Sequence, residues 1–138
     1  MIAAGDDLLI RQRAGNRCEY CRMHQSIQGA AFHIEHIIPR SDGGNDSLEN
    51  LALARPSSNL NKSNRTDAID IETDETVALF HPRAMSWRDH FRFQSYEIVG
   101  QTAIGRATCA ALKFNQPRRI KIRQAEEIFK LFPPTDWE

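Results

Sequence analysis

The 138 residues suit one compact domain, long enough to bury a core without a disulfide or metal staple. Hydrophobic residues at 41% and charged residues at 26% are ordinary for a globular chain and exclude a disordered tail, a collagen-like repeat and a disulfide scaffold. The 18 basic and 18 acidic residues cancel, which argues against a protein that coats nucleic acid.

The predicted elements follow in chain order. Residues 7–17 set Leu8, Leu9 and Ile10 among polar side chains and predict a short helix ending at Gly15 or Asn16. Cys18-Glu-Tyr-Cys21 predicts a knuckle-like turn. Residues 31–38 alternate roughly in polarity and stop at Pro39, as a strand would. Residues 41–45 form a loop by composition, and residues 51–54 read as a second short apolar strand. Pro56 is suited to open a helix over residues 57–65. Residues 66–75 are acidic and loop-like, and the apolar run 77–80 is stopped by His81-Pro82. Residues 87–93 suggest a core-facing turn or helix, and residues 96–99 a strand ended by Gly100. A helix over 102–115 would carry Ile104, Ala107, Ala111 and Phe114 on one side, and Pro117 begins another reaching about Leu131. There is no internal repeat and no low-complexity segment.

No apolar run is long enough to span a bilayer, and no basic region followed by an apolar one opens the sequence. The expectation is a cytoplasmic protein with reduced thiols and no membrane partner. Charge is segregated along the chain. Arg106, Lys113, Arg118, Arg119, Lys121 and Arg123 follow one another with no acid between them, whereas residues 67–75 hold five acids and no base. The basic run fits either a solvated face or a phosphate-contacting one. The densest chemistry lies in residues 18–64: Cys18-x-x-Cys21, then His33-Ile-Glu35-His36-Ile-Ile-Pro-Arg40, Gly43-Gly44, Asn50, and Asn59-Leu-Asn-Lys62. Singly these are weak signals. The Cys pair alone suits a metal half-site, a redox pair or neither, and a redox role would need a thioredoxin-like βαβ setting. Cys109, within an apolar helical stretch, reads as a buried thiol.

Taken together, the order and spacing across residues 18–65 resemble the HNH endonucleases, the ββα-metal nucleases. The resemblance implies an α+β fold with a ββα-metal core over residues 1–66 and an α-rich C-terminal extension over residues 67–138, packed on it as one unit. The later segments 79–83, 87, 90–93 and 105–108 are similar to the extension of small bacterial HNH proteins. The implied activity is metal-dependent hydrolysis of DNA phosphodiester bonds, on double-stranded DNA, by a monomer or a homodimer. Glu35 and Asn59 are then ligands to one divalent cation, Mg²⁺ or Mn²⁺, because a carboxylate and an amide carbonyl are hard oxygen donors. His36 is the general base, since a neutral imidazole accepts a proton near neutral pH. Asn50 braces the loop between the strands, and Lys62 contacts a phosphate from the helical face it shares with Asn59. His33, two strand positions from Glu35, lies within reach of the metal or of an exposed edge. Arg40 and the six basic residues from Arg106 to Arg123 are the expected nucleic-acid contacts.

The family's common four-Cys zinc site is incomplete here. Arg55 and Ser58 stand at the positions of its second Cys pair. Two thiolates do not close a tetrahedral site, and nothing in the spacing recruits His24 or His33, so Cys18 and Cys21 are expected to hold no structural zinc. An HNH scaffold that binds without cutting is the rival reading.

Overall fold

The computed structural model describes residues 3–27 and 31–135. It contains five α-helices, three short 3-10 turns and three two-stranded antiparallel sheets among those residues. Helix α1, Ala4–Arg13, has Asp6 and Asp7 in its first turn and Arg11 and Arg13 in its last, charges that suit the helix dipole. It stops short of residue 17 because Gly15 and Asn16 both take left-handed backbone angles, φ 62° and 57°. Arg17 then leaves the helix and bridges to His24. The knuckle of residues 18–21 is closed by hydrogen bonds from the Cys18 amide to Met23 O, 2.9 Å, and from the Arg22 amide to Cys18 O, 2.9 Å.

Strands β1, His33–His36, and β2, Leu51–Ala54, pair antiparallel with Glu35 opposite Ala52 and His36 opposite Leu51. All four β2 side chains are buried, so this strand runs through the core between α1 and the rest of the chain. The connection between the strands turns at Gly43 and Gly44. Gly43 is left-handed at φ 89°, and a Cβ on Gly44 would lie 1.7 Å from the Ile38 carbonyl oxygen. Helix α2, Pro56–Lys62, follows β2 directly with proline at its start. It ends before residue 65 because Ser63 turns to φ 51°.

The second half mixes helix and sheet. Strands β3, Asp67–Ile69, and β4, Thr76–Ala78, form a hairpin where the sequence reads as an acidic loop. Helix α3, Trp87–His90, is a single turn that passes straight into β5, Phe91–Gln94. Residues 87–93 are therefore half helix and half strand, and β5 pairs with β6, Glu97–Gly100. Helix α4, Ala103–Ala111, is capped by the Thr102 hydroxyl accepting from the Gly105 amide at 3.0 Å. It ends four residues earlier than its apolar pattern suggests, with Lys113 at φ 56°. Helix α5, Pro117–Ile128, closes the fold.

The two halves share a core. Ile10, Tyr20, Leu51 and Leu53 from the first bury with Phe80, Trp87, Phe91 and Phe114 from the second. Phe91 sits 5.2 Å from Phe80, 5.0 Å from Trp87 and 5.7 Å from Phe114, ring centre to ring centre. Such aromatic pairs each add roughly 0.5–1.5 kcal/mol beyond their buried area. Polar ties cross the same boundary: Trp87 Nε1 donates to Tyr20 O at 2.8 Å, and Arg17 to Leu131 O at 2.8 Å. Among the described residues no helix is long and apolar enough to cross a membrane.

Candidate active site

A cleft of about 440 Å³ opens where the end of β1 meets α2, lined by Glu35, His36, Pro39, Arg40, Asn59 and Ser63. Two successive residues, Glu35 and His36, both reach it because the strand stops at His36. Asn59 comes from the middle of α2, which packs on β1.

Glu35 is 6% exposed. One of its oxygens accepts a hydrogen bond from the Tyr20 hydroxyl, and the other lies 3.5 Å from Lys62 Nζ. Burial pushes its carboxyl above the ordinary value, against the opposing pull of Lys62 and Tyr20. Burial likewise pushes the Tyr20 phenol well up, helped by the neighbouring Glu35 charge, so Tyr20 stays a donor. The expected phosphate contact of Lys62 is corrected here. Lys62 is 1% exposed and its ammonium donates to Ile37 O at 3.0 Å. The inner face of α2 carries Ser58 and Lys62, four residues apart, and that spacing turns Lys62 inward.

His36 lies at the mouth of the cleft, its Nε2 2.7 Å from Asp46 Oδ1. Asp46 is in turn gripped by Arg40, whose NH2 reaches both carboxylate oxygens at 2.7 and 2.8 Å. Those hydrogen bonds from His36 and Arg40 hold the Asp46 carboxyl well below the usual carboxylate range. Asn50 is buried and faces the connecting loop. Its amide donates to Ile38 O at 3.0 Å and Asn45 O at 2.9 Å, and accepts from the Ile38 amide at 2.8 Å. His33, on the exposed end of β1, has Nδ1 3.3 Å from the Asn59 amide nitrogen. That nitrogen is a donor, so the bond leaves the Asn59 carbonyl oxygen available.

The chemistry of this donor set fits a hard divalent cation that keeps much of its water. Glu35 and Asn59 offer oxygens to one cleft, and an ionised carboxylate has lone pairs beyond the two engaged by Tyr20 and Lys62. Among the described residues no three His, Cys, Asp or Glu side chains converge, around the cysteines or elsewhere.

Cys18 and Cys21 are both buried and unbridged. Around them stand guanidinium groups. Arg119 from α5 donates to Ser57 Oγ at 3.0 Å and to Ser58 Oγ at 3.4 Å, and Arg55 also donates to Ser57. Burial alone would raise both thiols. The Cys18 hydrogen bond and the charges of Arg119 and Arg123 overcome it at Cys21, which is held well below its ordinary value, while Cys18 is pushed well above. The described sheets are all antiparallel, so no thioredoxin-like βαβ unit surrounds the pair.

The basic run is also corrected. Arg119 and Arg123 are each 1% exposed, and Arg123 donates to Tyr96 O and Phe114 O at 2.8 and 2.6 Å. Arg106 is paired with Asp70 at 2.9 Å and Glu72 at 2.6 Å. Positions 119, 123 and 126 share the inner face of α5, leaving Arg118 and Lys121 outside, with Lys113 exposed after α4. Sequence reasoning missed Tyr20 and Asp46. Tyr20 lies inside the Cys18-x-x-Cys21 turn and Asp46 in a polar loop, and only the fold brings them to the site.

The two strands and α2 form a ββα unit, with the Glu35–His36 pair at the end of its first strand and Asn59 on its helix. Residues 18–65 match the family model of the HNH endonucleases. No curated protein and no solved structure matches the chain.

Proposed function

We propose that the protein is a metal-dependent endonuclease that hydrolyses DNA phosphodiester bonds. The observation that carries this reading is the meeting of Glu35, His36 and Asn59 on one open cleft inside the HNH segment. Glu35 and Asn59 are the residues that would hold one Mg²⁺ or Mn²⁺. Such a cation, when bound, supplies charge to the scissile phosphate and the leaving oxygen. His36 takes a proton from the attacking water, and Asn50 keeps the loop carrying residues 38–45 in place beside it. Arg40 and the exposed Lys113, Arg118 and Lys121 contact phosphates and position a duplex without reading its sequence. Residues 1–66 form the cutting unit and residues 67–138 the extension that supports it.

A second reading has one observation in its favour. Tyr20 and Lys62 already engage both oxygens of Glu35, as they would in an HNH scaffold that binds but no longer cuts. Incubation of supercoiled plasmid with Mg²⁺, Mn²⁺ or chelator separates the two. The nuclease reading expects nicked or linear product only with the cation, and a loss of about 100-fold or more in a folded His36→Ala variant. Intact plasmid under every cation, or near-normal cleavage by His36→Ala, overturns it.

A further inference from the structure

We propose that Asp46 is a positioning residue for His36, fixing the imidazole proton on Nε2 so that Nδ1 is the nitrogen that receives the proton from water. This rests on the cleavage reading above and adds to it a residue ten positions from the base. The contact is short, 2.7 Å from Nε2 to Oδ1. An ionised carboxylate only accepts, so a neutral His36 facing it must carry its hydrogen on Nε2. Its lone pair is then on Nδ1, which has no hydrogen-bond partner among the described residues.

Asp46 is itself held in place. Asn50 donates to the carbonyl of the preceding residue, Asn45, at 2.9 Å. The Asn45 side chain accepts from the amide and hydroxyl of the following residue, Ser47, at 3.0 and 2.7 Å. Arg40 NH2 reaches both carboxylate oxygens, including the Oδ1 that faces His36. The carboxylate is thus a fixed acceptor aimed at one ring nitrogen. Without it a neutral imidazole divides between two tautomers and turns freely about its ring torsion. The Arg40–Asp46 pair is exposed, 56% and 39%, and exposed pairs contribute little to stability. Its removal therefore leaves the fold intact.

The test is Asp46→Ala, alone and combined with His36→Ala, assayed on duplex DNA with Mn²⁺. A bare surface acid near a phosphate path only repels DNA, and its loss would raise activity. A positioning residue behaves in the opposite way: kcat falls about 10- to 100-fold while KM is unchanged or lower. Adding Asp46→Ala to His36→Ala then costs nothing further, because the two act as one unit. Unchanged or raised kcat, or a loss that adds to that of His36→Ala, overturns the proposal. A second readout does not depend on turnover. Nitrogen spectra of the His36 ring in metal-free protein, taken above the imidazole titration range, should show the Nε2–H form in the wild type and a mixture in Asp46→Ala. An Nδ1–H ring in the wild type, or the same tautomer in both proteins, overturns the pairing. If the wild-type protein cleaves nothing, the nuclease reading falls and these spectra alone decide the Asp46–His36 bond.

Discussion

Glu126 shows how a single buried side chain couples this fold to pH. It is 1% exposed on the inner face of α5, and its Oε2 accepts from the His24 amide at 2.7 Å. Burial raises its carboxyl to about 7, against the pull of the His24 amide and Arg17, from an ordinary value of 4.5. Between those two values the folded protein holds a proton that the unfolded chain releases. Stability is therefore full below about 4.5, falls as pH rises, and levels off above about 7. Glu126→Gln keeps an acceptor for His24 and removes the titration. Thermal melts at about pH 5 and about pH 8 should show the wild-type midpoint dropping more than that of the variant. Equal drops would mean that Glu126 titrates alike in both states. None of this is readable from the sequence, where Glu126 is one charge in a polar helix. The same blindness hid Asp46 and Tyr20, whose partners lie 10 and 15 residues away. His36 and Asn59, by contrast, could be picked out because motif spacing carries them.

At the scale of elements, the ββα core was legible. β2 is a run of four apolar residues, β1 ends near a proline, and α2 begins with one. The hairpin of β3 and β4 was not, because strands of three residues joined by an acidic turn leave no period to detect. Helix α5 was found, but not what it does. Its Arg119 reaches Ser57 and Ser58 at the start of α2, while its charge and that of Arg123 act on Cys21. A guanidinium from the extension is thus hydrogen-bonded to the start of α2 and acts electrostatically on the Cys turn. Among the described residues Arg119 Nε and Arg123 Nε are buried with no hydrogen-bond partner, and the charges of these two side chains help hold the Cys21 thiol below its ordinary value. Folding should then be independent of zinc. Chelation is expected to leave the thermal midpoint unmoved, whereas Arg119→Ala should lower stability by about 3 kcal/mol in chemical denaturation. Stoichiometric zinc in the purified protein, together with unfolding on chelation, would contradict this arrangement.

For the whole molecule, a formal charge of zero conceals an uneven surface. Arg106 answers the acidic hairpin turn through Asp70 and Glu72, and Arg119 and Arg123 serve the interior. Only Lys113, Arg118 and Lys121 of the basic run remain exposed, with Arg40 beside the cleft. DNA binding should accordingly be weak and moderately salt-dependent. If these four side chains each meet one phosphate, log affinity falls against log salt with a slope of about −3.6, from about 0.9 per contact. Arg118→Gln with Lys121→Gln should flatten that slope by about 1.8 without altering the fold, since both side chains point outward. Fluorescence anisotropy with a labelled duplex and no divalent cation measures the slope without cleavage. A slope that does not change would show that α5 turns away from the duplex. DNA would then be held by the cleft and Arg40 alone, with α5 acting only as the scaffold that places Arg119 on Ser57 and Ser58.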